Sequence, residues 1–102
     1  MSNKPIRYEL SEIADSDIVA IFNYTEKEYG FDKAVGYVSD FEELFGVLID
    51  NPELGRIRSE IREELRSIPK DEHIVFYRIL SDHIRIVRVL HGSRDLPNFL
   101  KE

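Results

Sequence analysis

His73-Ile74-Val75-Phe76-Tyr77-Arg78-Ile79-Leu80 and, after Ser81-Asp82, His83-Ile84-Arg85-Ile86-Val87-Arg88-Val89-Leu90 are two β-like runs joined by a short, turn-prone pair. The second is rich in β-branched Ile84, Ile86, Val87 and Val89, which suit a pleated, half-buried surface. Two such runs with so short a link specify an antiparallel hairpin. Upstream, the span from about Arg58 to Ile68 has the same texture and is separated from His73 by Pro69-Lys70-Asp71. The second half therefore predicts a three-stranded antiparallel meander.

Working backwards, the texture changes at Pro52-Glu53-Leu54-Gly55. Before it, Ala34, Tyr37, Val38, Phe41, Leu44, Phe45 and Leu48 recur at three- and four-residue spacing, the period of a helix with one buried face. Asp32 reads as the N-cap of that helix, and Asn51-Pro52 forbids its continuation. Ala14, Ile18, Ile21, Phe22, Thr25 and Tyr29 line the face of an earlier helix, with Ser11 as its N-cap and Gly30 as its stop. Ile6-Arg7-Tyr8-Glu9-Leu10 alternates apolar and polar residues as a strand does. The expected fold is α+β in the order β-α-α-β-β-β, a helical hairpin packed on a small, mainly antiparallel sheet. It forms one domain over residues 1–102, and the tail from Asp95 adds a last helical turn with Leu96, Phe99 and Leu100 on one side.

Hydrophobic residues at 42% and charged residues at 33% of 102 suit an ordered domain with one modest core. The absence of cysteine excludes disulfides and thiolate metal sites. No apolar run approaches the length of a signal segment or a membrane span, so a soluble, cytoplasmic protein without membrane association is expected. The net charge of -6 is unevenly placed: residues 1–51 hold 4 Lys+Arg against 11 Asp+Glu, and residues 52–102 hold 10 against 9. That balance is not the basic footprint of a nucleic-acid binder. The second half nevertheless keeps eight arginines.

His73, His83 and His91 sit at strand ends without carboxylates at metal-ligand spacing, and no serine lies in a nucleophile context, so neither a metal nor a cofactor is expected. The arginines are more informative. If no bulge intervenes, Arg58, Arg62 and Arg66 share one strand face, Arg88 shares that of Ile84, Ile86 and Leu90, and Arg85 shares that of His91. An inward Arg88 needs a carboxylate, for which Glu60 and Glu63 are the candidates.

Four stretches resemble the ParE branch of the RelE/ParE toxins of bacterial toxin–antitoxin pairs. They are Ala14-x-x-Asp17-Ile18-x-x-Ile21-x-x-Tyr24 with Tyr29-Gly30; Asn51-Pro52-Glu53-Leu54-Gly55; Leu65-Arg66-Ser67-Ile68-Pro69; and the pair His73-Ile74-Val75-Phe76-Tyr77 with Arg88-Val89-Leu90-His91-Gly92-Ser93-Arg94-Asp95. One departure is that the family often has glycine just before the Leu-Arg pair, where this chain has Glu63-Glu64.

The resemblance implies a growth-arresting toxin of the plasmid-stabilisation kind that poisons DNA gyrase with its DNA broken, without enzymatic turnover. A ParD-like antitoxin neutralises it in a hetero-oligomer. The candidate target contacts, on the last strands and the tail, are Arg85, Arg88, His91, Arg94 and Phe99. The antitoxin would lie across the helices and a sheet edge, against Ile18, Phe22, Tyr29, Tyr37 and Phe41, although most such apolar residues must also serve the core. No specific nucleic-acid binding by the toxin alone is expected. The RelE branch offers an alternative, a ribosome-dependent mRNA endonuclease using Arg66, Arg88 and His91, but that branch is typically strongly basic. A non-toxic, antitoxin-binding module is a third reading.

Overall fold

The computed structural model describes residues 4–93, and Arg94, Phe99 and the expected last helical turn lie outside them. The chain runs β1 (Arg7–Leu10), α1 (Glu12–Tyr29), α2 (Phe31–Asp50), a 3-10 turn (Pro52–Leu54), β2 (Arg56–Ile57), β3 (Arg66–Lys70), β4 (His73–Ile79) and β5 (His83–His91). The sheet order is β1-β5-β4-β3-β2; β1 runs parallel to β5 and the other pairings are antiparallel. This is the expected α+β layering with one strand more, because β2 adds a short edge pair to β3.

Ser11 caps α1, its Oγ accepting the Ala14 N–H at 3.0 Å. Gly30 both ends α1 and opens α2, at φ 98, a left-handed value that suits glycine. Asp32 therefore lies in the first turn of α2 and not at its cap. There its charge still favours the helix N-terminus. Between hairpin and sheet lies the main core, in which Ala14, Ile21, Phe41, Phe45 and Leu48 meet Val75, Tyr77, Ile84, Ile86 and Val89.

The sheet's other face is not bare. Residues 58–65, expected as strand, turn back on themselves: the Arg58 N–H donates to the Leu65 carbonyl at 2.7 Å, and the Arg58 carbonyl accepts from Ile61 and Arg62. The loop thus satisfies its own backbone and lays Ile61 and Leu65 over Phe76 and Leu90, a second small core. The shared-face expectation for Arg58, Arg62 and Arg66 fails with the strand. Closing the loop puts Glu64 at φ 64, at the very place where the resemblance expects glycine. Pro69 and Lys70, expected as a separator, belong to β3; β2 pairs only with Arg66 and Ser67, so Pro69 lies on an edge, where proline is tolerated.

Tyr77 joins the two halves of the chain. Its buried hydroxyl accepts the Gly55 N–H at 2.8 Å and donates to the Pro52 carbonyl at 2.7 Å. Arg66 Nη1 donates to the Gly55 carbonyl at 2.8 Å. A Cβ on Gly55 would stand 2.7 Å from the Tyr77 ring, so glycine is required for this close approach. Tyr77→Phe strands one donor and one acceptor, and should cost about 2 kcal/mol in urea unfolding at unchanged secondary structure.

Candidate functional site

The β4–β5 ladder shifts register between Phe76 and Tyr77: Phe76 pairs with Arg88 but Tyr77 with Ile86, leaving Val87 as the extra residue. Such a bulge resets the alternation of side chains. It explains why Ile84, Ile86 and Val89 all pack under the helices while Leu90 joins the opposite cluster. The parity argument from sequence, which assumed an unbroken strand, holds only up to the bulge.

Helix α1 is fastened to this irregularity. The Ser11 N–H donates to the Ile86 carbonyl at 3.0 Å and its Oγ donates to the Val87 carbonyl at 2.9 Å. Farther along the helix, Asp17 accepts from Arg88 Nε, Arg88 Nη2 and the Val89 N–H, each at 2.9 Å. Both side chains of the Arg88–Asp17 pair are largely buried, with 15% and 13% of their surface exposed. The carboxylate that meets Arg88 thus comes from α1 and not from Glu60 or Glu63: Glu60 instead pairs with Arg58 at 2.7 Å, and the loop carrying both glutamates covers the far face of the sheet. A sequence signal for Asp17 existed, since it lies three residues after Ala14 and four before Ile21, on the buried stripe of α1, where an acid needs a partner.

Past this anchor, the turn end of the hairpin and the sheet leave an open groove of about 800 Å³ between them. Asp17 and Arg88 lie in it, Tyr24, Tyr29 and Lys33 contribute from the helices, and His73 and His91 from the sheet. Tyr24 and Tyr29 are well exposed. Tyr37 Oη and His73 Nδ1 are 2.9 Å apart, and the His73 and His91 rings meet edge to face at 5.4 Å. Burial, and then the nearby His91, holds His73 below its usual pKa, while burial and the charges of Asp71, Glu72 and Asp40 hold Tyr37 above its own. Both shifts favour neutral groups, consistent with Tyr37 O–H donating to unprotonated Nδ1. The Ser93 N–H donates to His91 Nδ1 at 3.1 Å, which assigns the ring proton of neutral His91 to Nε2, the nitrogen facing Glu72 at 3.6 Å.

The structure divides the residues expected at the target contact. Arg88 and His91 line the groove on the helix side, whereas Arg85, between inward Ile84 and Ile86, points from the opposite face. Of the expected antitoxin contacts, Tyr29 and Tyr37 line the groove. Ile18 packs against the core, and Phe22 is half-buried with its ring edge-on to Phe31 at 5.9 Å. Phe41 is fully buried and offers no contact surface; its ring meets that of Tyr37 edge to face, and the inward stripe of α2 is closed over by the sheet. Nor do Arg66, Arg88 and His91 converge. Arg66 binds carbonyls at the β2 edge, and its register lies four residues along β4 from that of His91, with one strand between, roughly 16 Å away. Sequence reasoning missed Lys33 and His73 as groove residues, since their meeting depends on how the hairpin splays from the sheet. Among the described residues no cluster suited to a metal ion occurs, and no helix is long and apolar enough to cross a membrane.

Asp17→Ala removes the acceptor of three hydrogen bonds at the bulge and should cost ~3 kcal/mol in chemical unfolding. His73 titrates lower in the fold than its ordinary value of 6.5, so its contribution to stability is complete above that pH and declines as pH falls below it. Between about pH 7 and pH 5 the parent protein should lose more stability than His73→Gln, as read by thermal unfolding at each pH.

The family described as "ParE toxin of type II toxin-antitoxin system, parDE" matches residues 8–96. The chain is 33% identical to Toxin ParE1 of Mycobacterium tuberculosis over 95 residues, 92% of this chain and 97% of that protein. It is 30% identical to Toxin ParE1 of Caulobacter vibrioides over 86 residues, 84% of this chain and 88% of that one. A solved structure described as the chromosomal ParDE TA system from P. aeruginosa has the same fold, with a TM-score of 0.75, 21% identity, and coverage of 88% of this chain and 98% of that chain.

Proposed function

The chain belongs to the ParE toxin family of type II toxin–antitoxin systems, and from that membership we propose that it arrests growth by binding DNA gyrase and holding the cleaved DNA complex, until a ParD-like antitoxin neutralises it. The observation that carries the antitoxin half of this reading is the groove. Exposed Tyr24 and Tyr29 beside it are large, stiff anchors of the kind that dominate protein interfaces. Its floor mixes Arg88, Lys33 and histidines with Asp71 and Glu72, a lining suited to an amphipathic segment laid along it.

The toxin acts in this reading by binding and not by turnover. Supporting that, Arg66 is held at the β2 edge away from the groove that Arg88 and His91 line, and the acidic balance of the chain suits a protein target over ribosomal RNA. The ParDE description of the structural neighbour agrees with a co-assembling antitoxin for this chain as well.

Purified protein should inhibit gyrase supercoiling and accumulate cleaved DNA, and addition of a cognate ParD-like antitoxin should reverse both. Absence of inhibition and of trapped DNA would remove gyrase as the target. Tyr29→Ala should weaken antitoxin binding by roughly 30-fold, about 2 kcal/mol, in a direct titration.

A further inference from the structure

We propose that Arg78 and Arg85, on the face of the sheet turned away from the helices, form a site for a carboxylate carried by a protein partner. The two stand directly opposite each other on β4 and β5. Inward Tyr77 on one strand, and Ile84 and Ile86 on the other, turn both arginines outward. Side chains so placed have Cβ atoms about 5 Å apart, and like charges in that position destabilise a sheet.

Three other arginines are held at close range by carboxylates, whereas this half-buried pair has one longer contact between them. Arg7 holds Glu9 at 2.7 Å and Asp82 at 3.1 Å, Arg58 holds Glu60 at 2.7 Å, and Arg88 holds Asp17 at 2.9 Å. Arg85 makes no hydrogen bond or ion pair among the described residues, and Glu9, its neighbour on β1, is already engaged by Arg7. Arg78 reaches exposed Glu64 only at 3.3 Å, and its Nε is shut off from solvent without an acceptor.

Two guanidinium groups side by side match the two oxygens of a carboxylate, with charge-assisted and planar hydrogen bonds. A nucleic-acid backbone fits less well. Glu9, Glu64 and Asp82 flank the pair and the chain carries -6 overall, so a continuous polyanion is repelled where a single Asp, Glu or C-terminal carboxylate can enter. The site lies on the face opposite the groove, and a partner held there leaves the groove open to a second chain. The inference concerns the chemistry of this face and goes beyond the proposed target and antitoxin; failure of the gyrase assay leaves it standing.

The test is fluorescence anisotropy at low salt with a labelled short polyglutamate peptide and a labelled oligothymidylate of equal charge. The proteins are the parent, Arg78→Gln, Arg85→Gln and, as a control, Arg56→Gln on exposed β2. The peptide should bind, each substitution in the pair should weaken it about tenfold, and Arg56→Gln should not. Because removing one charge relieves repulsion, Arg85→Gln should also melt no lower than the parent. Unchanged peptide affinity in both pair variants, tighter binding of the oligonucleotide than of the peptide, or a lowered Tm for Arg85→Gln would each overturn the proposal.

Discussion

The attachment of α1 to the bulge in β5 is the constraint on which the rest of the molecule depends. A bulge leaves backbone groups out of register, and buried groups of that kind must find partners. Here the helix supplies them: Ser11 takes the Ile86 and Val87 carbonyls, and Asp17 takes the Val89 N–H together with the Arg88 guanidinium. The helix is thereby held at a defined height and rotation over the strand. Ser11 also caps the same helix, so one hydroxyl ties the start of α1 to the strand it crosses.

A second attachment closes the other side of the layer. The Tyr77 hydroxyl, reaching through the core, receives the chain as it leaves α2, and Arg66 gathers the carbonyls of the same turn. Between the two attachments the aromatic stripe of α2 is pressed against the sheet, which is why Phe41 and Phe45 are wholly inside. Beyond them, towards the hairpin turn, the Tyr37–His73 contact ties α2 to β4, and the groove opens there with Tyr24 and Tyr29 on its rim.

The molecule consequently presents two different faces to partners. One is concave, aromatic and mixed in charge; the other is a sheet face, half covered by the 58–65 loop, with a pair of half-buried arginines among its carboxylates. Because the two surfaces lie on opposite sides of the sheet, occupation of one does not by itself block the other. The acidity of the first half falls largely on the helices, whereas most of the described arginines fall on the sheet.

Sequence alone determined the layer architecture, because hydrophobic period is a local property. The 3.6-residue stripes of α1 and α2 and the β-branched content of β5 are legible without any knowledge of what they touch. The same holds for Ser11 as a cap and Gly30 as a stop, whose chemistry is complete within one turn of helix. Tertiary structure alone decided the bulge at Val87, the parallel placement of β1, the folding back of residues 58–65 and the partner of Arg88. Each is a choice between residues far apart in the chain, and a strand read by itself carries no mark of a register shift that only its neighbour makes visible. The candidate site inherits that division: Tyr29 and Tyr37 lay on readable stripes, but their meeting with His73 and Arg88 depended on the angle at which two separately readable layers are pinned together.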